Sequence, residues 1–278
     1  MKPFNPRLVY SDHVSSRRRA ETDHDLTLVI PAYNEERRLP RTLAAAKEFL
    51  DDWGIDYRVV VVDNGSTDKT GSLTDEFDDR FYTIHQPLSG KGAAVRRGML
   101  RAKGSVVAFT DADLPYDLQA LRQGFERVDG GECEVIFGAR DVAGASVAVQ
   151  RRWLRKLASS VFRGIVRHLI SRTITDTQCG LKIFSRKAAN QVFSRTTING
   201  FAFDAEVVFL ARQMNLRQEC VPVKLVNEDG STLSLTRHAL PMLLDVLRVR
   251  WQSLSGEYRP NFPTLAQPEP AVAQRRAA

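Results

Sequence analysis

The sequence predicts an α/β domain in which a mostly parallel sheet carries helices on both faces. Two patterns indicate this class. Short apolar runs rich in β-branched residues alternate along the chain with segments of helical periodicity. Several of these runs end in a carboxylate, and such sheets bind ligands outside the carboxyl ends of their strands. The hydrophobic fraction, 43% of 278 residues, is sufficient to fill a core.

Five strands are predicted in the first half of the chain, and two more follow. The second of them ends at Asp63, and the fourth starts at Val106 and ends in Asp111-Ala112-Asp113. We expect Pro31 to stop the first strand, because proline cannot donate to a sheet ladder. The predicted ranges are 26–30, 57–63, 81–84, 106–113, 133–137, 181–184 and an edge strand over 218–226.

Helical periodicity fills the intervals between these strands. Asn34 is a candidate N-cap of the first helix, although Pro40 favours a later start. Gly90-Lys91-Gly92 opens another helix. It matches neither a P-loop nor a dinucleotide fingerprint, because the required flanking residues are absent. The predicted helices are 35–54, one after the loop 64–68, 91–103, 116–128, 150–170, one around 203–210, and 235–254.

Composition and charge narrow the classes of function. The formal net charge of +7 fits phosphorylated substrates or anionic lipid, and the basic residues are not interleaved with aromatics as in RNA-binding motifs. Helices 150–170 and 235–254 are basic and amphipathic, which suits either a membrane surface or a core contact. No apolar run reaches the ~18 residues of a membrane span. Three widely spaced cysteines indicate reduced thiols.

We expect three regions along the chain. Residues 1–25 are polar and carry no apolar stretch typical of a secretory signal, so we expect a flexible segment and an intracellular protein. A single domain follows over 26–255. Residues 256–278 are rich in Pro, Ala and Gln, a composition typical of disorder.

Asp111 and Asp113 are the strongest candidates for a metal site. Residues two apart in an extended chain point the same way, so both carboxylates can face one site. Mg²⁺ or Mn²⁺ commonly binds one or two carboxylates together with substrate phosphates. The alternative is a pair of solvated carboxylates that cap the next helix.

Several motifs, in their order and spacing, resemble the family 2 glycosyltransferases with a GT-A fold, and within them the dolichyl-phosphate β-glucosyltransferases. The resemblance covers about residues 25–253. Pro115 stands where the related mannose synthases have Gln, which favours the glucosyl branch. The motifs are Val29-Ile-Pro-Ala-Tyr-Asn-Glu35, Val62-Asp-Asn-Gly-Ser-Thr-Asp68, Gly90-Lys-Gly-Ala-Ala94, Thr110-Asp-Ala-Asp-Leu114, Gly138-Ala-Arg140, Asp176-Thr-Gln-Cys-Gly-Leu-Lys-Ile-Phe184 and Phe201-Ala-Phe-Asp-Ala-Glu206.

The resemblance implies roles for individual residues. Asp113 would hold the divalent cation, Mg²⁺ or Mn²⁺, and Asp111 would face the metal or the ribose. Arg140 would meet the acceptor phosphate. The nucleotide pocket would be lined by Pro31, Tyr33, Glu35, Asp63 and Lys91. Arg151 and Arg152 would assist Arg140, and Asp176 and Gln178 would border the sugar and acceptor.

The implied reaction transfers glucose from UDP-glucose to a polyprenyl phosphate with inversion, at the cytoplasmic face of a membrane with an anionic surface. A phosphomonoester is largely dianionic at neutral pH, because its second pKa is about 6, so it needs positioning more than deprotonation. One alternative is mannosyl transfer from GDP-mannose. Another is a soluble hydroxyl acceptor, which needs a base such as Asp176 or Asp204. The remaining one is a non-catalytic nucleotide-sugar-binding protein.

Overall fold

A computed structural model describes residues 23–114, 116–140, 174, 176–177, 179–225, 235–256 and 258, with the side chains of the last helix described from Leu244 onward. Seven strands lie in these ranges. They are β1 (His24–Ala32), β2 (Tyr57–Asp63), β3 (Phe81–His85), β4 (Gly104–Phe109), β5 (Val135–Ala139), β6 (Lys182–Ser185) and β7 (Gln218–Pro222).

Six α-helices and one 3₁₀ helix connect or follow the described strands. The 3₁₀ helix, Lys69–Glu76, follows the loop after β2, and the Asp68 side chain caps it by accepting from Thr70 N. The α-helices are α1 (Leu39–Trp53), α2 (Lys91–Arg101), α3 (Gln119–Asp129), α4 (Arg186–Phe193), α5 (Phe203–Gln213) and α6 (Leu235–Ser255).

The sheet has the strand order β3-β2-β1-β4-β6-β5-β7. Strands β3, β2, β1 and β4 pair in parallel, as do β5 and β7, whereas β6 is antiparallel to both β4 and β5. The carboxyl ends of six strands and the amino end of β6 therefore share one edge. The prediction of a mostly parallel sheet is confirmed.

Two hydrophobic cores cover the two faces of the sheet. Side chains alternate along β1, so that Leu28 and Ile30 enter one core and Val29 enters the other. Helices α1 and α3 cover the first face, and α2, α4 and α5 cover the second. The helices therefore lie on both faces, as the sequence predicts. In α5 every residue from Phe203 to Ala211 is buried, so this helix is not amphipathic.

Two predictions about the first turn are wrong. Pro31 does not end β1, because its ring nitrogen faces the β4 side, where the ladder has already ended at Val29. Asn34 is not the N-cap of α1, which begins at Leu39 with Pro40 in its first turn. Asn34 instead has a positive φ of 54° and accepts from Thr67 N at 2.9 Å, so it fixes the loop after β2.

Other boundaries shift as well. Strand β4 ends at Phe109, and Asp111 to Asp113 form a turn in which Leu114 N donates to Asp111 O. The two carboxylates therefore do not share a face by strand periodicity. Strand β5 starts two residues later than predicted, and α3 starts at Gln119. The predicted helix over 150–170 lies outside the described residues, as do residues 1–22, 257 and 259–278 of the predicted terminal segments 1–25 and 256–278. Strand β1 begins at His24, inside the first of these segments.

Candidate active site

The shared edge of the sheet carries a partly buried ion pair between two predicted site residues. Lys91 is the first residue of α2, and Asp111 follows β4. The Lys91 Nζ lies 2.5 Å from Asp111 Oδ1. Burial opposes ionisation of the Asp111 carboxyl, but Lys91 outweighs it and holds the pKa of that carboxyl below its usual range. The site therefore contains a fixed carboxylate at neutral pH.

Gly180 closes the space behind Asp111. A β-carbon at Gly180 would overlap Asp111 Oδ2, so only glycine admits the carboxylate in this position. Gly180 N donates to the buried Tyr116 hydroxyl at 3.1 Å, which fixes the turn before β6. The antiparallel β6 thus begins at the same edge as the ends of β4 and β5. The turn that precedes it packs against Asp111, a predicted metal ligand.

A second ion pair lies beneath the first and was not predicted. Lys182, the first residue of β6, is 1% exposed. Its Nζ contacts Asp204 on α5 and donates to Cys179 O at 2.8 Å. Burial raises the pKa of Asp204, although the nearby Lys182 and Lys91 oppose that shift. The same lysines hold the Asp111 carboxyl ionised, so the two pairs form one network.

Arg140 and Asp176 form the third pair. Arg140 follows β5, and its Nε and Nη2 each donate to the Asp176 carboxylate at 2.7 Å. Arg140 N also donates to Asp176 at 3.0 Å. Burial opposes the charge on Asp176, but Arg140 lowers its pKa. The guanidinium is therefore already engaged in a bidentate contact, and a phosphate would have to bind Nη1 or displace Asp176.

Asp113 lies beside a further pair, Glu35 and Arg38. Arg38 donates from Nε and Nη2 to the two Glu35 oxygens at 2.7 and 2.6 Å. Its Nη1 lies 3.9 Å from Asp113 Oδ2. Burial and then the charge of Asp111 raise the pKa of Asp113. A cation at Asp113 would relieve this repulsion between the two carboxylates.

The donor set fits a hard divalent cation bound mainly by its substrate. Among the described residues, no three His, Cys, Asp or Glu side chains are grouped to hold a metal. Asp111 is committed to Lys91, whereas the Asp113 side chain is 34% exposed and offers oxygen donors. Mg²⁺ commonly binds one or two carboxylates and completes its shell with water and phosphates. The oxygen donors of Asp113 therefore fit such an ion.

The predicted nucleotide residues lie along the same edge. The buried Asp63 accepts from Ser66 N at 3.0 Å and lies 3.0 Å from His85 Nδ1. Asn64 Nδ2 donates to Gly90 O, which joins the loop after β2 to the start of α2. Pro31 is buried and Tyr33 is 59% exposed. Pro115, Arg151, Arg152 and Gln178 lie outside the described residues.

The structure therefore brings together Lys91, Asp111 and Asp113. The charge of Arg140, which is paired with Asp176, also helps to lower the pKa of Asp111. Sequence reasoning missed the supporting residues Lys182 and Tyr116, and it did not assign Gly180 or Arg38. One signal was available for Lys182, which is a charged residue inside the apolar run Leu181-Lys-Ile-Phe184. A lysine in such a run is rarely buried unless it is paired.

A family model provides the first comparison with known proteins. The model for glycosyl transferase family 2 matches residues 27–193, more than half of the chain. The chain belongs to glycosyl transferase family 2. This match covers β1 to β4, the turn with Asp111 and Asp113, and Gly180 with β6. It confirms the prediction of a glycosyltransferase.

Curated relatives place this glycosyltransferase near one group of the family. It is 33% identical over 254 residues to a dolichyl-phosphate β-glucosyltransferase of Drosophila melanogaster, with 84% of this chain and 77% of the relative covered. A protein of the same name from Dictyostelium discoideum is 30% identical over 249 residues, with 84% and 76% covered. The predicted resemblance is confirmed.

Solved structures support the fold of the glycosyltransferase. Glucosyl-3-phosphoglycerate synthase from Mycobacterium tuberculosis, in complex with Mn²⁺, UDP and glucosyl-3-phosphoglycerate, has a TM-score of 0.63 at 16% identity, with 92% of this chain and 87% of that chain covered. Mannosyl-3-phosphoglycerate synthase from Rubrobacter xylanophilus also has a TM-score of 0.63 at 16% identity, with 91% and 81% covered. The predicted GT-A fold is confirmed.

None of the described helices combines the length and the apolar character required to cross a membrane.

Proposed function

We propose that this protein transfers glucose from UDP-glucose to the phosphate of a polyprenyl phosphate, with inversion and with a divalent cation. The relatives named dolichyl-phosphate β-glucosyltransferase support the acceptor and the sugar, because they match over 84% of the chain. The solved complexes with UDP-glucose and Mn²⁺ support the donor and the metal. The proposed place is the cytoplasmic face of a membrane, since the acceptor is a lipid and the buried Cys133 and Cys179 are thiols.

One observation carries the choice of a phosphate acceptor over a hydroxyl. A hydroxyl acceptor needs a general base, and both candidate bases are held in ion pairs. Asp176 accepts two bonds from Arg140, which lowers its pKa, and Asp204 is 3% exposed against Lys182. A phosphate acceptor is already a nucleophile at neutral pH and requires no base.

In this proposal, the residues at the carboxyl edge of the sheet have separate roles in the reaction. Asp113 would hold the divalent cation, which supplies neutralisation of the charge on the departing diphosphate. Lys91 fixes Asp111 and adds a positive charge at the start of α2, where the helix dipole also favours anions. Pro31, Tyr33, Glu35 and Asp63 would border the nucleotide. Arg140 remains the proposed acceptor contact, oriented by Asp176.

The assignments outside the described residues stay proposals. Arg151 and Arg152 would assist Arg140 at the acceptor phosphate, and Gln178 would border the sugar beside Asp176. Each rests on the family resemblance of the sequence.

A donor assay with purified protein tests the proposal. The protein is incubated with Mg²⁺ or Mn²⁺, a polyprenyl phosphate, and either UDP-glucose or GDP-mannose, and the glycolipid is detected by mass spectrometry. We expect product from UDP-glucose and a loss of at least about a hundredfold in kcat for Asp113→Asn. Product from GDP-mannose alone would overturn the donor, and transfer to a soluble hydroxyl alone would overturn the acceptor. An Asp113→Asn variant with a normal rate would overturn the role of Asp113.

A further inference from the structure

Helix α6 exposes an unusual amount of apolar side chain to solvent. Four of its large hydrophobic residues are between 49% and 82% exposed, which makes α6 the richest of the described helices in such residues. We name this set the apolar ridge. It consists of Leu244, Leu247, Trp251 and Leu254.

The spacing of the apolar ridge places it on one side of the helix. At 3.6 residues per turn, its four side chains fall within an arc of about 80°. Val246, Val249 and Gln252 are buried against the body of the protein. They lie on the opposite side of the helix, so the apolar ridge points away from the core and has no role in packing the described domain.

Two arginines flank the apolar ridge. Arg248 and Arg250 are both exposed, and the helical period places one on each side, about 40° from the nearest ridge residue. The Arg250 guanidinium carbon lies 5.8 Å from the centre of the Phe209 ring, which holds that side chain beside α5. An apolar strip with Trp and Leu between basic residues is typical of helices that lie in a membrane interface.

The chemistry of this surface favours lipid over a second copy of the chain. A symmetric contact between two copies would bring like-charged arginines of the two helices together. Four side chains also supply only a few hundred Å², whereas a stable dimer buries about 800 Å² on each partner. Anionic headgroups complement both Arg248 and Arg250, and acyl chains accept the ridge without requiring a shaped partner.

We propose that the apolar ridge docks this protein on a bilayer that carries anionic lipids, with Trp251 at the level of the headgroups. The proposal rests on the proposed function, because a polyprenyl phosphate resides in such a bilayer. The helix is connected to the site through one loop. Asp245 lies next to Gly200, and the preceding Asn199 accepts from Gly92 N in the first turn of α2. Helix α6 therefore contacts the loop that holds the first turn of α2, the helix that begins with Lys91.

Vesicle binding of the full chain tests the docking without substrates. The test variant is Leu247→Gln/Trp251→Gln, and the matched control is Tyr82→Gln/Leu100→Gln, which changes two exposed residues elsewhere. We expect the test variant to lose at least about tenfold in partitioning to anionic vesicles, since burial of a single large apolar side chain is worth that much. We expect the control to bind like wild type.

A second variant separates the two parts of the surface. Arg248→Gln should weaken binding to vesicles that contain anionic lipid and leave binding to neutral phosphatidylcholine vesicles unchanged. Equal binding of wild type and the ridge variant to anionic vesicles would overturn the proposal. So would a wild-type dimer that becomes a monomer in the ridge variant while vesicle binding stays the same.

Turnover distinguishes a failure of docking from a failure of the proposed function. With a short polyprenyl phosphate dissolved in water, the ridge variant should keep the wild-type kcat/KM. With a long-chain acceptor in anionic vesicles, its rate should fall in parallel with its binding. Wild type that makes no product from either acceptor would overturn the proposed function, while vesicle binding would still decide the docking. Equal loss on both acceptors would overturn the docking role.

Discussion

Two clusters of polar side chains in this protein compensate their buried charges in different ways. At the carboxyl edge of the sheet, charges of opposite sign pair with one another, as in Lys182–Asp204 and Arg140–Asp176. On α5, the fully buried Glu206 accepts hydrogen bonds from neutral donors. Its carboxylate accepts from Thr197 N and Oγ1, Ile198 N and the Tyr258 hydroxyl, all between 2.8 and 3.0 Å.

The difference between the clusters indicates what each is for. A carboxylate with four hydrogen bonds fixes a loop at a low cost, and Glu206 joins residues 197–198 to the segment after α6. Paired buried charges contribute little net stability, because desolvation offsets their attraction. The network at the edge is therefore explained by function, since it keeps Asp111 ionised beside the start of α2. Stability and activity should separate when the two clusters are mutated.

The largest effect is expected for Lys182→Met. This change removes the cation of a pair whose side chains are 1% and 5% exposed and leaves Asp204 buried without its main partner. Breaking a buried pair from one side costs about 3–5 kcal/mol. We expect a loss of this size in the free energy of unfolding, measured by urea denaturation, together with a fall in kcat/KM.

The double variant Lys182→Met/Asp204→Leu is the control for Lys182→Met. Replacing both partners by apolar residues should restore most of the stability, because neither charge is left alone. Activity should stay low, since Lys182 no longer supports the ionised Asp111. A double variant with wild-type kcat/KM would show that the pair is only structural.

Gly180→Ala should have the next largest effect, and chiefly on activity. The added β-carbon would overlap Asp111 Oδ2, so the carboxylate has to move away from Lys91. A displacement of about 1 Å in a positioned group can reduce the rate about a hundredfold. We expect a fall in kcat/KM of this order, with a change in the unfolding midpoint smaller than that of Lys182→Met.

Gly200→Ala is the matched control for Gly180→Ala. A β-carbon at Gly200 would meet Asp245 Oδ2 at 3.5 Å, an ordinary contact, so this variant should keep its rate. Equal rates for the two alanine variants would contradict the positioning role of Gly180. The double variant Gly180→Ala/Asp111→Gly should not recover the rate. It relieves the overlap but removes the Asp111 carboxylate.

The sequence predicted the local elements better than the contacts between distant segments. Strand β2 has the predicted bounds, because an apolar run that ends in Asp63 depends only on neighbouring residues. The antiparallel β6 was predicted as a strand, but its place between β4 and β5 depends on pairing across many residues. Asp111 and Asp113 lie near each other, but the predicted reason was wrong, since they occupy a turn and not a strand.

The supporting residues of the site were harder to predict for the same reason. Lys182 is buried only because α5, about 20 residues later in the sequence, brings Asp204 to it. Arg140 was predicted as an acceptor contact from the family motif after β5, but its bidentate contact with Asp176 follows from the fold. Residue type and order therefore suggest candidates for the site, whereas tertiary packing decides which of their polar atoms are already paired with other side chains.

Glu206→Gln is expected to have the smallest effect on activity and a moderate one on stability. The amide places two N–H donors where the carboxylate accepts from Thr197, Ile198 and Tyr258, so at least one buried donor loses its partner. Such a loss costs about 1–3 kcal/mol. We expect a lower free energy of unfolding in urea and a kcat/KM that changes by less than about tenfold at a temperature where the variant is folded.

Gly180→Ala should give the opposite pattern, so measuring both quantities for both variants tests the division between the clusters. The Glu206→Gln variant could instead match Gly180→Ala in both its loss of activity and its stability. That result would show that the Glu206 cluster also acts on the site, through Asn199 and the first turn of α2.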